Sequence, residues 1–129
     1  RFALAVALRE AGRLGEATSV LEEVVKPDPQ FARAWYTLGL AYSAARRPDV
    51  ALDALARSES LDPRNPQAAY AEAIILAREH RTREARVAVR RALQIAPDYR
   101  EAAELLRMLQ RNLGQGLPAR DRPDDEEGS

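Results

Sequence analysis

The chain has 129 residues with a hydrophobic content of 46%, and its 20 basic and 20 acidic residues give a formal net charge of zero. This length is enough for one domain with a buried core, while the balanced charge excludes a general attraction to nucleic acid or to anionic lipid. The chain has no cysteine, which excludes a disulfide framework and a thiolate metal site.

The N-terminal segment enters an apolar pattern of helical period at once, without a charged leader or a small-residue cleavage site. We therefore expect the chain to be a piece of a longer protein, with any signal peptide, anchor or partner domain upstream of Arg1. The compartment stays open, with the cytoplasm favoured over the periplasm. No apolar stretch is long enough to predict insertion into a membrane.

Three prolines, Pro29, Pro63 and Pro97, are spaced 34 residues apart, and a constant period of this length is typical of stacked helical repeats. Aligning the chain on these prolines brings small residues to the same positions of successive repeats. Because small residues let helix backbones approach closely, we expect helix contacts at Ala5, Gly39 and Ala73, at Ala17, Ala51 and Ala85, and at Val24, Ser58 and Ala92.

Residues 32–65 have a tryptophan, a Leu-Gly pair and a tyrosine on a first helix, then alanine and leucine on a second helix, and Asp-Pro at the end. These residues are Trp35, Leu38, Gly39, Tyr42, Ala51, Leu55, Asp62 and Pro63. The pattern resembles the tetratricopeptide repeat (TPR) family. The resemblance implies an all-α fold, a right-handed superhelix (TPR solenoid) of about seven antiparallel helices. It divides the chain into a partial repeat (1–31), two repeats (32–65 and 66–99) and a capping helix (100–113).

Helix starts and stops carry local signals, namely caps followed by proline, capping-box spacing and terminating glycines. In chain order these are Gly12 as a stop, Asp28-Pro29, Pro48 and Asn65-Pro66 as starts, Asp98 with Glu101 as a capping box, and Gly114 as a stop.

The third repeat departs from the motif, since Ala69 replaces the tryptophan and Leu76 replaces the tyrosine. Glu72 stands where the other repeats have Leu4 and Leu38. A buried, unpaired carboxylate is costly, so we expect Glu72 to pair with a nearby arginine or to reach solvent. The alternative is a buried functional acid.

Residues 114–129 are rich in proline, glycine and charge, and they are predicted to form a flexible, disordered acidic tail. One hypothesis is a weak attraction between its "DDEE" segment and an arginine stripe on the sixth helix (Arg83, Arg86 and Arg90). The alternative is that the tail and the stripe are both solvated.

Residue types that could perform catalysis do not converge in the sequence. The one histidine, His80, falls at a predicted turn, and one histidine without cysteine cannot supply the usual zinc ligands. There is no phosphate-binding loop, dinucleotide fingerprint or nucleophile elbow. The arginine-rich segment 78–91 has no aromatic residues for base stacking and is interrupted by Glu79 and Glu84. We therefore predict no enzymatic activity, no cofactor, no metal and no nucleic-acid partner.

The segment "ARAWYTLGLAY" (32–42) is apolar on two sides of its predicted helix. At about 100° per residue, one face should pack on a neighbouring helix and consists of Trp35, Leu38, Gly39 and Tyr42. A second face carries Arg33, Tyr36, Thr37, Leu40 and Ser43. In TPR proteins the first helix of each pair lines the concave side of the superhelix, which implies that this second face looks into a groove.

The same positions in the other repeats complete the predicted partner-binding site. It combines a row of aliphatic residues, a row of aromatic residues and surrounding arginines. The predicted residues are Phe2, Val6, Arg9, Arg33, Tyr36, Thr37, Leu40, Ser43, Tyr70, Ile74, Arg78 and Met108. An open groove would hold an extended or helical peptide segment with apolar anchors, and the alternative is that neighbouring helices fill it.

We therefore expect a non-catalytic protein–protein interaction scaffold with a protein or peptide ligand. One alternative is a structural or tethering arm of a larger bacterial protein, such as a periplasmic multihaem cytochrome or a transferase. The segments "ARAWYTLGLAY" and "AYAEAIILA" are also similar to the terminal repeat arrays of some multihaem cytochromes, although the chain has no C-x-x-C-H haem site. Another alternative is self-association through the truncated N-terminal edge. Some TPR domains hold a chaperone's C-terminal carboxylate with a Lys/Asn/Arg clamp; here the matching residues are Phe2, Val6, Thr37, Gln67 and Ala71, so we expect no such adaptor.

Overall fold

The computed structural model describes the backbone of residues 1–115 and the side chains of residues 1–111, and this part of the chain forms α-helices and no strand. In chain order the helices are α1 (Phe2–Glu10), α2 (Leu14–Val25), α3 (Ala32–Ala44), α4 (Pro48–Leu61), α5 (Pro66–Arg78), α6 (Thr82–Ile95) and α7 (Arg100–Gln115). They form three pairs and a last helix, and each helix packs mainly on its neighbours in the chain. The predicted all-α repeat fold is confirmed. No helix within the described residues is long and apolar enough to cross a membrane.

The periodic prolines form the turns between helix pairs. In each turn the carbonyl before the proline accepts a hydrogen bond from the N–H two residues after it, with N···O distances of 3.3, 3.2 and 3.0 Å at Phe31, Asn65 and Tyr99. Proline at the second position of such a turn is favoured because its φ is already fixed. The prediction that Asp28-Pro29 opens a helix is wrong, because this pair belongs to the turn and α3 begins at Ala32.

Of the other three predicted helix starts, two agree with the structure and one does not. The side chain of Asn65 caps α5 by accepting a hydrogen bond of 2.9 Å from the N–H of Gln67, and Pro48 lies in the first turn of α4, as predicted. Asp98 does not cap α7, because Tyr99 lies between it and the first residue of that helix.

A left-handed residue ends the first helix of each pair. Gly12, Arg46 and His80 have φ values of +79°, +63° and +61° and lie 34 residues apart. The residue after each donates its N–H to a carbonyl five positions back, at 2.8 to 2.9 Å, which is the Schellman motif. Gly12 therefore terminates α1 as predicted, and His80 is an exposed turn residue.

Replacing Arg46 by glycine should stabilise the fold, because only glycine adopts this backbone conformation without a Cβ penalty. We expect the free energy of unfolding to rise by about 1 kcal/mol in urea titrations followed by circular dichroism, and His80→Gly to behave likewise. Gly12→Ala is the matched control and should lower it by a similar amount. No change, or a loss, in the Arg46 and His80 variants would contradict this account of the turns.

The core consists of two adjoining clusters, and its largest fully buried side chains are Leu21, Leu38, Leu55 and Val89. Close helix approach explains the small residues at aligned positions. A Cβ added to Gly39 would lie 2.7 Å from Cγ of Leu55 and 3.2 Å from the carbonyl oxygen of Ala51. The equivalent Ala5 and Ala73 are fully buried, so this position is a helix contact in all three pairs.

The C-terminal helix is longer than predicted. Gly114 lies within α7, which continues to Gln115, so Gly114 does not end the helix at residue 113. The predicted acidic tail from residue 116 onward lies outside the described residues. Arg86, which was predicted to belong to an exposed stripe with Arg83 and Arg90, is only 3% exposed.

Glu72 pairs with an arginine, as expected, but it remains inside the protein. It is 8% exposed, and its Oε1 lies 3.5 Å from Nη2 of Arg91. Arg91 is held mainly by Glu59, with hydrogen bonds of 2.9 and 3.3 Å. Burial raises the pKa of Glu72 to about 8, and a hydrogen bond with Glu59 acts in the same direction. Burial opposes ionisation of Glu59, but its hydrogen bonds with Glu72 and Arg91 outweigh this and lower its pKa.

Candidate functional site

A groove with a volume of about 310 Å³ lies between the first helices of the three pairs, α1, α3 and α5. The predicted site residues that line it are Arg9, Tyr36, Leu40, Ser43, Tyr70, Ile74 and Arg78. Tyr36, Leu40, Tyr70 and Ile74 are each partly exposed, so the neighbouring helices narrow the groove without filling it.

The two faces of α3 are separated as the helical period predicts. On one side Leu38 is 2% exposed and Tyr42 is 8% exposed, and Tyr42 donates a hydrogen bond to Glu22 on α2. Burial, followed by this hydrogen bond, raises the pKa of Tyr42 to about 12. On the other side Tyr36 and Leu40 line the groove. One helix thus serves both the packing between pairs and an open surface.

Five predicted residues do not line the groove, which consists of the residues described above with Ala44, Ala71 and Ile75. Phe2 packs against the ring of Phe31 with a centroid distance of 4.9 Å, and the Arg33 guanidinium covers the Phe2 ring at 5.2 Å. Thr37 is 7% exposed, contrary to the prediction. Its hydroxyl donates to the Arg33 carbonyl at 2.9 Å, because threonine in a helix can satisfy itself on the preceding turn. Val6 is partly buried and Met108 is 44% exposed, both outside the groove.

Two aromatic residues near the site escaped sequence reasoning. Phe31 and Tyr99 occupy the position just before a first helix, as Asn65 does in the middle repeat. Phe31 packs on Phe2, and Tyr99 packs on Tyr70 at a centroid distance of 5.0 Å. Their 68-residue separation, two full repeats, was the signal that could have identified them. They therefore pack on the first and last residues of the predicted aromatic row, which consists of Phe2, Tyr36 and Tyr70.

Arginines give the groove a positive side. Burial raises the pKa of Tyr36, while the nearby charge of Arg9 opposes this. Nε of Arg9 is buried and has no hydrogen-bond partner among the described residues. Arg78 lines the same groove and also an adjoining cavity of about 410 Å³ that contains Arg46 and Glu79. A bound segment that carries a carboxylate could therefore find a donor at this end of the groove.

Antiparallel helix pairs with a 34-residue period, whose first helices share one groove, define a helical-repeat solenoid. The family model of the tetratricopeptide repeat matches residues 8–75, and the chain belongs to this family. No curated protein sequence matches the chain.

Three solved structures illustrate the likeness of fold. The Yersinia enterocolitica type III secretion chaperone SycD, in complex with a peptide of the translocator YopD, has a TM-score of 0.81 and 17% identity, covering 84% of this chain and 88% of that chain. The first TPR of Spaghetti (RPAP3), bound to an HSP90 peptide, has a TM-score of 0.83 and 18% identity, covering 88% and 90%. MamA protein has a TM-score of 0.83 and 23% identity, covering 88% and 62%. At these identities the likeness concerns the fold.

Proposed function

We propose that this chain is a non-catalytic protein–protein interaction module that binds an extended or helical segment of a partner protein in the groove between α1, α3 and α5. The observation that carries the proposal is the partly exposed set of Tyr36, Leu40, Tyr70 and Ile74 around one open groove. When a partner's apolar side chains displace water from aromatic and aliphatic residues in a concave site, the buried apolar surface stabilises the complex.

The polar groups of the groove favour one kind of ligand. Arg9 and Arg78 lie beside the apolar residues, and arginine is a common residue of protein interfaces that binds carboxylates through two N–H groups. We therefore expect apolar anchors followed by an acidic residue in the bound segment. The peptide complexes of SycD and of Spaghetti support a peptide ligand for this fold, although the residues of the carboxylate clamp are absent here.

The test is a selection of binding peptides from a random library, followed by measurement of the Kd with variant proteins. Tyr36→Ser combined with Leu40→Asp should weaken binding of the selected peptides by at least about a hundredfold, since both apolar contacts are removed and a charge is introduced. Circular dichroism should show that the helices persist. Leu4→Asp is the matched control, because Leu4 is 53% exposed and lies outside the groove. If the Kd of the double variant stayed within twofold of the parent value, the groove would not be the binding site.

The same variants separate the proposal from an alternative, self-association in which the N-terminal edge at α1 stacks on another copy of the chain. This alternative is favoured by the exposure of Leu4 on α1, whose equivalent Leu38 is 2% exposed against α2 and α4. In that case Leu4→Asp should abolish self-association in sedimentation experiments, while the double variant of the groove leaves it unchanged.

A further inference from the structure

We propose that the cavity between α4, α5 and α6 is a second binding site, which accepts a lysine side chain of a protein partner with its ammonium group on Glu72. This Glu72 cavity has a volume of about 410 Å³ and is lined by Leu52, Asp53, Ala56, Glu72, Leu76, Arg81, Glu84, Val87, Ala88 and Arg91. It shares no residue with the groove. At about 100° per residue, Glu72 and Leu76 lie on the side of α5 opposite Tyr70, Ile74 and Arg78.

Comparison with the preceding repeat explains how the Glu72 cavity arises. There the equivalent space, between α2 and α4, contains Trp35, and the guanidinium of Arg57 covers the Trp35 ring at 5.1 Å. One repeat later Ala69 replaces Trp35, so Arg91, which is equivalent to Arg57, has no ring to cover. Arg91 instead binds Glu59 and Glu72.

One carboxylate oxygen in the Glu72 cavity lacks a donor. Arg91 occupies both oxygens of Glu59 and approaches Oε1 of Glu72. Oε2 of Glu72 is buried and, once Glu72 is ionised, receives no hydrogen bond from any described residue; a ligand reaches it when the Glu72 side chain turns toward the cavity that it lines. A single free oxygen suits a compact ammonium group rather than the two-pronged guanidinium of arginine. The single free acceptor therefore favours lysine over arginine as the ligand side chain.

The charges around the cavity also favour a cation. Arg81, the residue before α6, binds Glu84 on α6 with hydrogen bonds of 2.9 and 2.7 Å, so these two charges offset each other. The remaining charged groups are Asp53 and Glu59 on α4, Glu72 on α5 and Arg91 on α6. When all are ionised they carry a net negative charge, which one bound ammonium group reduces.

The walls of the cavity fit the aliphatic stem of lysine. Leu52, Ala56, Leu76, Val87 and Ala88 are apolar, and Val87 is 56% exposed beside the entrance. Methylene groups that leave water for such a surface stabilise the complex. The stem and the ammonium group would therefore each have a matching part of the cavity.

Protonation of Glu72 must compete with the ligand. Because burial and Glu59 raise the pKa of Glu72 to about 8 in the empty cavity, an ammonium group binds well only after Glu72 loses its proton. The affinity for lysine should therefore increase about tenfold between pH 7 and pH 9, with release of a proton on binding. A merely hydrophobic site would show no such dependence.

The probe is Nα-acetyl-L-lysine amide, titrated into isotope-labelled protein and followed by NMR. We expect it to shift the resonances of Leu76, Val87 and Ala88 but not those of Leu40, with the stated increase in affinity from pH 7 to pH 9. Nα-acetyl-L-norleucine amide, which keeps the stem and lacks the ammonium group, is the matched control and should give much smaller shifts. Equal shifts with both compounds, or none with the lysine compound, would overturn the proposal.

Two variants test the role of the carboxylate. Glu72→Gln keeps the shape, and Glu72→Leu introduces the residue found at positions 4 and 38, so at least the second should fold. Either folded variant should lose the response to the lysine compound, and an unchanged response would contradict the proposal. Peptide binding to the groove should persist in both variants, so this test is independent of the proposed function.

Discussion

Replacing Leu55 by alanine should lower the free energy of unfolding by about 2–5 kcal/mol, the range for deletion of a fully buried leucine side chain. Leu55 is fully buried on α4 and packs on α3, where the glycine at position 39 lets the two helices approach. The neighbouring helices cannot collapse fully into the resulting space, because each also packs on the next pair. Urea titration monitored by circular dichroism measures the loss.

Two further variants make this prediction specific. Gly39→Ala alone should destabilise, since its Cβ would lie 2.7 Å from Cγ of Leu55. In the Leu55→Ala background the same change should destabilise much less, because the contacts with the leucine side chain are gone and only the 3.2 Å approach to the Ala51 carbonyl oxygen remains, while alanine is about 1 kcal/mol better than glycine within a helix. Leu4→Ala is the control for leucine truncation at an exposed site, with a loss below about 1 kcal/mol. Additive effects of the changes at 39 and 55 would show that the close contact is not important.

Replacing Glu72 by leucine should stabilise the protein, and increasingly so as the pH rises. The pKa of Glu72 is about 8 in the folded protein against an ordinary value of 4.5, so between these pH values the folded state holds more protons than the unfolded state. The contribution of Glu72 to stability is present below pH 4.5 and is lost as the pH rises through 8. Removing the carboxyl removes this loss.

The measurement is the difference in unfolding free energy between Glu72→Leu and the parent chain at several pH values. We expect this difference to be about 2–4 kcal/mol larger at pH 9 than at pH 5. Taking the difference cancels the titration of unrelated carboxyl groups. Glu72→Gln, which also cannot ionise, should show the same pH trend. Parallel stability curves for the parent and both variants would contradict the raised pKa.

The repeat architecture could be predicted because its determinants are local and periodic. Each 34-residue unit repeats a small residue at the helix contact and a proline at the turn, so one alignment fixes seven elements. The starts of the helices were harder to predict from the sequence. Asp28-Pro29 and Asn65-Pro66 look alike as dipeptides, yet one forms the turn and the other begins a helix. The two prolines differ in their distance from the helix that follows: Pro29 lies three residues before α3, whereas Pro66 is the first residue of α5. Residue propensities do not reveal this distance.

Only part of the groove could be predicted, because helical period gives the face of a residue but not what covers that face. Helical period placed Tyr36 and Leu40 on the face opposite the packing face, and both line the groove. The same period also placed Thr37 there, but its hydroxyl bonds to its own helix and neighbouring helices cover it. Phe31 and Tyr99 were missed because they lie outside the helices, where a helical wheel does not apply. The depth of a groove depends on how pairs stack, which no single helix determines.

Methyl NMR of the protein with a selected peptide can show directly whether the groove between α1, α3 and α5 is the binding site, because it locates the ligand on the structure. We expect the methyl resonances of Leu40, Ile74 and Ile75 to shift on titration and to give intermolecular contacts with apolar side chains of the peptide. The resonances of the exposed Leu4 and Val87, which lie outside the groove, should stay in place. Shifts confined to Leu4 or Val87, with those of the groove unchanged, would contradict this expectation.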